Sequence, residues 1–253
     1  MIHVERLSWA GVKLVSDRHS LVIDALGDAS PLEPFLGRPQ GELVPVGGSG
    51  SIDVALITHA HLDHYDAGTL RDVLGDDGLL VCPVGVAPDV DRTTTRVSSL
   101  EVWGERALEG LTVSAVPAVD GVGDEQVSWI VSAGGRRIIH CGDTLWHGYW
   151  DAIAARYGTF DVAFLPINAA LIAPPSRSAT GIPICLGPRE AVAAAVALGA
   201  KWVVPIHYGL FHNPPLYASL ERAAEQFAAE AERRGVGFQL LAPGEAVDWH
   251  ASR

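Results

Sequence analysis

Apolar positions along the chain come in short runs broken by turn residues, and the runs change character from one end to the other. In the first quarter Val4 to Ser8, Val12 to Ser16 and Ser20 to Asp24 are brief and rich in β-branched residues, the pattern of strands. Residues 27–50 are rich in glycine and proline and predict a long loop of the kind that borders active sites. Ile52 to Thr58 is a continuous apolar run, which predicts a buried strand ending at a histidine. Ala67 to Leu74 predicts a short helix stopped at Gly75. In the middle, Leu79 to Cys82, Leu111 to Val116, Gln126 to Ser132 and Arg136 to Cys141 predict strands, with Ser132-Ala133-Gly134-Gly135-Arg136 as a hairpin turn. Trp146 to Tyr157 reads as a helix, and Val162 to Leu165 as a buried strand ended by Pro166.

The last third alternates helix and strand. Pro188 to Leu198 is an alanine-rich helix with proline in its first turn and Gly199 behind it. Lys201 to Ile206 is a strand that stops at His207, and Leu216 to Arg234 an amphipathic helix closed by Gly235. Strands near Gly237 to Leu241 and Ala246 to Asp248 complete the pattern. With no linker, low-complexity segment or repeat in view, residues 1–253 are expected to form one α/β domain.

Composition narrows the partners. Apolar residues make up 48% of the chain, ample for a core, and the net charge of −12 argues against affinity for nucleic acid, whose backbone it repels. The three cysteines are odd in number and widely spaced, which fits a reducing cytosol, so a cytoplasmic protein is expected. No apolar run reaches membrane-spanning length, so no membrane association is expected.

The chemistry concentrates in His59-x-His61-x-Asp63-His64, placed where an apolar strand ends. Side chains two apart on a strand point the same way, so His59 and His61 can bind one ion together. As the chain turns away, Asp63 and His64 can reach a second ion beside it. Imidazole and carboxylate are suitable donors for zinc, manganese or iron. Asp66 is either a supporting partner of that loop or a helix N-cap.

The segment resembles the signature of the metallo-β-lactamase superfamily. Ile139-His140-Cys141-Gly142-Asp143-Thr144 resembles the family's Gly-Asp-Thr element, whose aspartate bridges two metals. Val203-Val204-Pro205-Ile206-His207 resembles the late strand whose terminal histidine completes the second site. From Ala191 to His207 the chain is similar to the lactonase-like branch that includes ascorbate-phosphate lactonase, and Trp9-Ala10-Gly11 and Val22-Ile23-Asp24 sit where that branch has its opening strands. The resemblance runs from about Leu7 to His207. It implies a four-layer αββα sandwich and two divalent metal ions, zinc or manganese with iron a further candidate. It also implies a hydrolase that turns a metal-bound hydroxide on a small ester, lactone or phosphorylated metabolite, with Asp63 both ligand and catalytic proton carrier. A homo-oligomer comes into view as well, since related proteins often form dimers or larger rings.

One departure stands out. The family usually supplies a third histidine after a proline-containing strand, and here Val113 to Gly121 has none; Asp120 occupies about that place. Asp120 is either a ligand, which makes a harder and more anionic site, or a turn residue with Gly121. His147, Asn168 and His212 are weak candidates for substrate binding, each with an ordinary hydrogen-bonded role as its alternative. His140 is expected to face the core and Cys141 to be a small buried residue. Trp103, Trp129, Trp146 and Trp150 are expected in the core, with two near Asp143 able to wall a pocket. Loop 27–50 and Ala169 to Leu186 are the expected rim, and Arg177 or Arg189 can attract an anionic group. Two other readings stay open. One is a phosphodiesterase or nuclease, which the net charge disfavours. The other is non-hydrolytic: an iron-based oxygen or nitric-oxide reductase, or a binding protein with a degenerate site.

Overall fold

The computed structural model describes residues 2–90, 96–175, 179 and 181–251, so Arg177 lies outside the described residues. The first sheet runs in chain order through β1 (His3–Arg6), β2 (Val12–Val15), β3 (Ser20–Ile23), β4 (Val54–Leu56), β5 (Leu79–Pro83) and β6 (Arg96–Leu100). Its first three strands are antiparallel and the remainder parallel. The second sheet begins with β7 (Glu105–Leu108), β8 (Leu111–Pro117), β9 (Val127–Ala133) and β10 (Arg136–His140), paired antiparallel. β11 (Phe160–Pro166) then adds in parallel. β12 (Leu171–Ile172) lies apart, and β13 (Ala200–Ile206) closes the sheet beside β11. β14 (Tyr217–Ala218) pairs with β12. The helices are α1 (Glu33–Leu36), α2 (Ala67–Leu74), α3 (Trp150–Tyr157), α4 (Pro188–Leu198) and α5 (Ala223–Arg234).

Strand alternation sorts the apolar residues into three layers of packing. Leu21, Ile23, Val54 and Leu56 from the first sheet meet Val113, Trp129, Phe164 and Val204 from the second. Their neighbours Val22, Ala55, Ile57 and Leu80 point the other way, under Leu70, Val73 and Leu74 of α2. On the far side Ile139, Ala163, Leu165 and Val203 are covered by Ile153 of α3, Val192 and Ala195 of α4 and Phe227 of α5. The result is the expected four-layer αββα sandwich. Burial on both faces explains why the parallel strands read as unbroken apolar runs. Pairing of Arg136 with Ala133 leaves Gly134 and Gly135 as a two-residue turn, both at positive φ (57° and 74°), as the tight hairpin requires.

Several expectations need correction. β6 and β7 escape sequence reading because they carry mixed, half-exposed residues, which gives no apolar period. α3 starts at Trp150 rather than Trp146, because the preceding loop is tied elsewhere: Leu145 N–H donates to Val119 and Tyr149 N–H to His147 Nδ1. α5 starts at Ala223 rather than Leu216, because Tyr217 is claimed by Ile172 in the β12–β14 pair and the chain enters the helix through Arg222 at φ 54°. In place of strands after residue 236, single bridges join Phe238 to Val203 and Ala246 to Glu5. Loop 27–50 contains a 3-10 turn, Ser30–Leu32, running into α1. Among the described residues no helix is long and apolar enough to cross a membrane.

Candidate metal centre

The site forms where strands of both sheets end. β4 runs out into the loop carrying residues 59–64, Asp24 follows β3, Asp120 follows β8, Asp143 follows β10 and His207 follows β13. Their side chains make two groups. His59, His61, Asp120 and Asp143 each offer a ligand atom, and these atoms lie within 4.8 Å of one another; Asp63, His64 and His207 form a second group by the same measure. His59 Nε2 is 2.8 Å from His61 Nδ1 and 3.7 Å from Asp143 Oδ1, while His61 Nδ1 is 3.9 Å from Asp120 Oδ2. In the second group Asp63 Oδ2 is 3.5 Å from His64 Nε2 and 3.4 Å from His207 Nε2. Donors arranged tetrahedrally at zinc bond lengths are separated by about 3.4 Å, within the 2.8 to 3.9 Å range found here.

Neighbouring groups fix which ring nitrogen faces inward. The Asp24 carboxylate is fully buried and accepts from Thr58 N–H (2.8 Å), Thr58 Oγ–H (2.7 Å) and His64 Nδ1–H (2.8 Å). With its proton given to Asp24, the Thr58 hydroxyl can only accept from His59 Nδ1, 3.0 Å away. His61 Nε2 is held by Asp124 Oδ2 at 2.8 Å. Each of these rings has its outer nitrogen engaged, so the inner nitrogen is the one a metal would take, displacing any proton it carries. Trp9 Nε1–H donates to Asp63 Oδ2 at 2.9 Å, and the Trp9 carbonyl receives His207 N–H at 3.0 Å.

The same side chains carry shifted charge states and unfilled bonding capacity. Burial, joined by His64 and His61, pulls His59 well below the usual histidine range. Burial opposes charge on His64 too, but Asp63 and Asp24 overcome it and raise that ring to about 10. Asp63 is held well below the carboxylate range, in spite of burial, by His64 and His207, whereas burial raises Asp143. His64 Nε2, His207 Nε2 and Asp143 Oδ1 are buried without a hydrogen-bond partner. Such orphans cost about 1–3 kcal/mol each. Divalent cations with imidazole and carboxylate ligands would satisfy all of them, so the residues present fit the metals that the sequence implies.

A family model described as Beta-lactamase superfamily domain matches residues 19–208. The chain belongs to the metallo-β-lactamase superfamily. The UPF0173 metal-dependent hydrolase of Thermus thermophilus is 30% identical over 257 residues, which cover 98% of this chain and 99% of that one. Among solved structures, the metallo hydrolase Igni18 of Ignicoccus hospitalis superposes with a TM-score of 0.70 at 20% identity over 97% of each chain. CmlA, a diiron β-hydroxylase of Streptomyces venezuelae, gives 0.74 at 15% identity, over 97% of this chain and 54% of its own. These two share the fold. This superfamily member is a metal-dependent hydrolase, as its relatives are.

The structure places the remaining candidates as follows. Asp120 Oδ1 accepts from the N–H groups of Val122, Gly123 and Asp124 and shapes the turn, while Oδ2 faces His61 and lies in the first candidate ligand group. Asp66 caps α2 through Thr69 N–H and clamps Gly27 and Asp28, away from the metal groups. Asn168 is a correction to the substrate-binding candidates, since its amide is buried and engaged with Tyr217, Ala170 and Cys185. His147 stacks on Trp150 at 3.9 Å, with burial lowering it to about 4, and His212 pairs with Ser219. Neither lines the cavity over the ligands. His140 is structural, bonding Ala10 O and Gly142 N–H, and burial pushes the Cys141 thiol up to about 12, which removes it as a nucleophile. Trp129 is in the core, Trp150 is buried as the first residue of α3, and Trp146 is exposed; neither of the last two walls the cavity. Arg189 lines a different surface depression.

That cavity holds about 400 Å³. His61, Asp63, Asp143 and His207 form its floor; Leu32 and Phe35 from loop 27–50 and Ile172 and Ile184 from segment 169–186 form walls. Sequence reasoning missed Trp9, Asp124 and Tyr217. Asp24 had a signal, a lone carboxylate inside the apolar run Leu21 to Leu26.

Proposed function

We infer that the chain hydrolyses a small carboxylic ester or lactone with two divalent ions, zinc or manganese, one in each ligand group. The observation that carries this is the pair of adjacent groups beneath a cavity which, among the described residues, no lysine or arginine lines. When bound, such ions acidify water toward neutral pH and polarise the substrate's carbonyl. The chain's own residues do the rest. Asp143 belongs to the first group and is charge-coupled to His64 and His207 of the second, which ties the two halves together. Trp9 anchors Asp63 Oδ2, which leaves Oδ1 to orient the attacking water, take its proton and deliver it to the leaving oxygen as the acyl C–O bond breaks. The apolar walls exclude competing water.

Phosphodiester hydrolysis is the second reading. It calls on the same floor, but the described cavity offers no cation to the phosphate's remaining oxygens. Three free, buried cysteines support a cytoplasmic setting. The test is metal content by mass spectrometry together with kcat/KM for p-nitrophenyl esters, lactones and bis-p-nitrophenyl phosphate. We expect two equivalents of metal and preference for the esters and lactones. His61→Ala is expected to abolish turnover with the fold intact; full activity in that variant would sink the reading.

A further inference from the structure

Tyr217 lines the cavity together with Asp63, Asp143 and His207, and it is buried. Its ring is fixed between Phe35 and Trp9, each with centroids 6.4 Å away. The hydrogen bonds behind it determine which way its hydroxyl works. Ala170 N–H and the Cys185 thiol both donate to Asn168 Oδ1, at 3.3 and 2.7 Å. That sets the amide's orientation, so its Nδ2 donates to Tyr217 Oη at 2.7 Å. A phenol oxygen that receives this bond keeps its own proton to give. Among the described residues no acceptor for that proton is recorded. Burial, reinforced by Cys185 and Asp63, holds the phenol well above its usual range, so the proton stays in place.

Among the described residues the rest of the wall is apolar, with Leu32, Phe35, Val122, Ile172 and Ile184. The wall carries no lysine or arginine among the described residues, so an anionic group on the substrate's acyl portion, away from the floor, has no cationic side chain beside it. We propose that this cavity selects a neutral ester or lactone with an apolar acyl chain, and that Tyr217 donates a hydrogen bond to an oxygen of its ester group. The proposal rests on the hydrolase reading of the same site and adds the substrate's class and its recognition. Asn168 is then a positioning residue, which keeps the phenol's proton turned toward the cavity.

The experiment uses the metal-loaded full chain and a γ-hexyl γ-lactam, a neutral mimic that resists hydrolysis, with binding followed by calorimetry. Shortening hexyl to methyl should weaken binding by roughly fourfold per methylene. Tyr217→Phe should weaken it by about tenfold, with metal content unchanged. Asn168→Asp puts an acceptor where the amide nitrogen was, draws the phenol's proton away, and should reproduce the Phe effect without adding to it in the double variant. Equal lactam affinity in wild type and Tyr217→Phe, or no dependence on chain length, overturns the proposal. So does a higher kcat/KM for bis-p-nitrophenyl phosphate than for p-nitrophenyl hexanoate. If the lactam shows both dependences and no ester or lactone is turned over, the hydrolase reading fails while neutral apolar recognition at Tyr217 stands.

Discussion

Replacing Asp24 with asparagine removes one charge at a residue that touches no ion. Its carboxylate serves three donors: Thr58 N–H at Oδ1, and Thr58 Oγ–H and His64 Nδ1–H at Oδ2. An amide has one acceptor oxygen. If that oxygen stays with Thr58 N–H, the NH2 faces His64 Nδ1, and two donors meet. The ring relieves this by moving its proton to Nε2, the atom that belongs to the second ligand group. Loss of such an outer partner costs about 10–100-fold in metal affinity, or about 1.4–2.8 kcal/mol at 1.4 kcal/mol per tenfold. The measurement is competition between the protein and a chromophoric chelator, with thermal unfolding of the metal-free variant as a check on folding. We expect one of two equivalents to weaken by that factor. Wild-type affinity for both equivalents in a folded Asp24→Asn protein would refute the tautomer argument.

The other predictions concern Asp120 and His147. Asp120→Asn keeps the oxygen that receives three backbone N–H groups and neutralises the one facing His61, so it should lose the first-group ion with little change in melting temperature; Asp120→Ala should lose the ion and stability together. Mass spectrometry of metal content and thermal unfolding separate these outcomes, and two retained equivalents in both variants would make Asp120 a turn residue only. His147 is neutral in the fold, since burial lowers it from 6.5 to about 4. The unfolded chain binds that proton more readily, so the contribution to stability is complete above about pH 6.5 and declines as pH falls toward 4. His147→Gln should flatten the fall in melting temperature over that window; an identical slope in the metal-free wild type and variant would count against it.

The elements that positioned the site were readable because burial leaves a strong pattern. Val54 to Ile57 and Trp202 to Ile206 are apolar and buried on both faces, and a histidine just past the end of each is a break in pattern that carries chemistry. α2 and α4 came out at their observed limits because Asp66 or Pro188 opens each and glycine closes each. The residues that were not legible act across long separations. Trp9 meets Asp63 from 54 positions away, and Asp124 meets His61 from 63. No local period encodes such contacts. Tyr217 was hidden in a different way: its segment has helical amphipathicity, and only pairing with β12 turns it into a strand that faces the cavity.

The carboxylate at position 120 changes more than one ligand. The two groups together hold three carboxylates and four imidazoles. Two divalent ions bring four positive charges, so three carboxylates leave one uncompensated; a histidine at 120 would leave two. In a site closed by apolar walls, residual charge is costly because little solvent screens it. The same substitution has a price in reactivity, because each anionic ligand offsets part of the pull an ion exerts on a carbonyl. Asp24 and Asp124, bonded to the far nitrogens of His64 and His61, push the balance further in that direction. A centre of this kind favours holding harder cations over maximal Lewis acidity, and it leaves the recognition of a weakly activated carbonyl to groups that supply a hydrogen bond without charge. Tyr217 is such a group, with a neutral donor set by Asn168 on a wall that is otherwise apolar among the described residues.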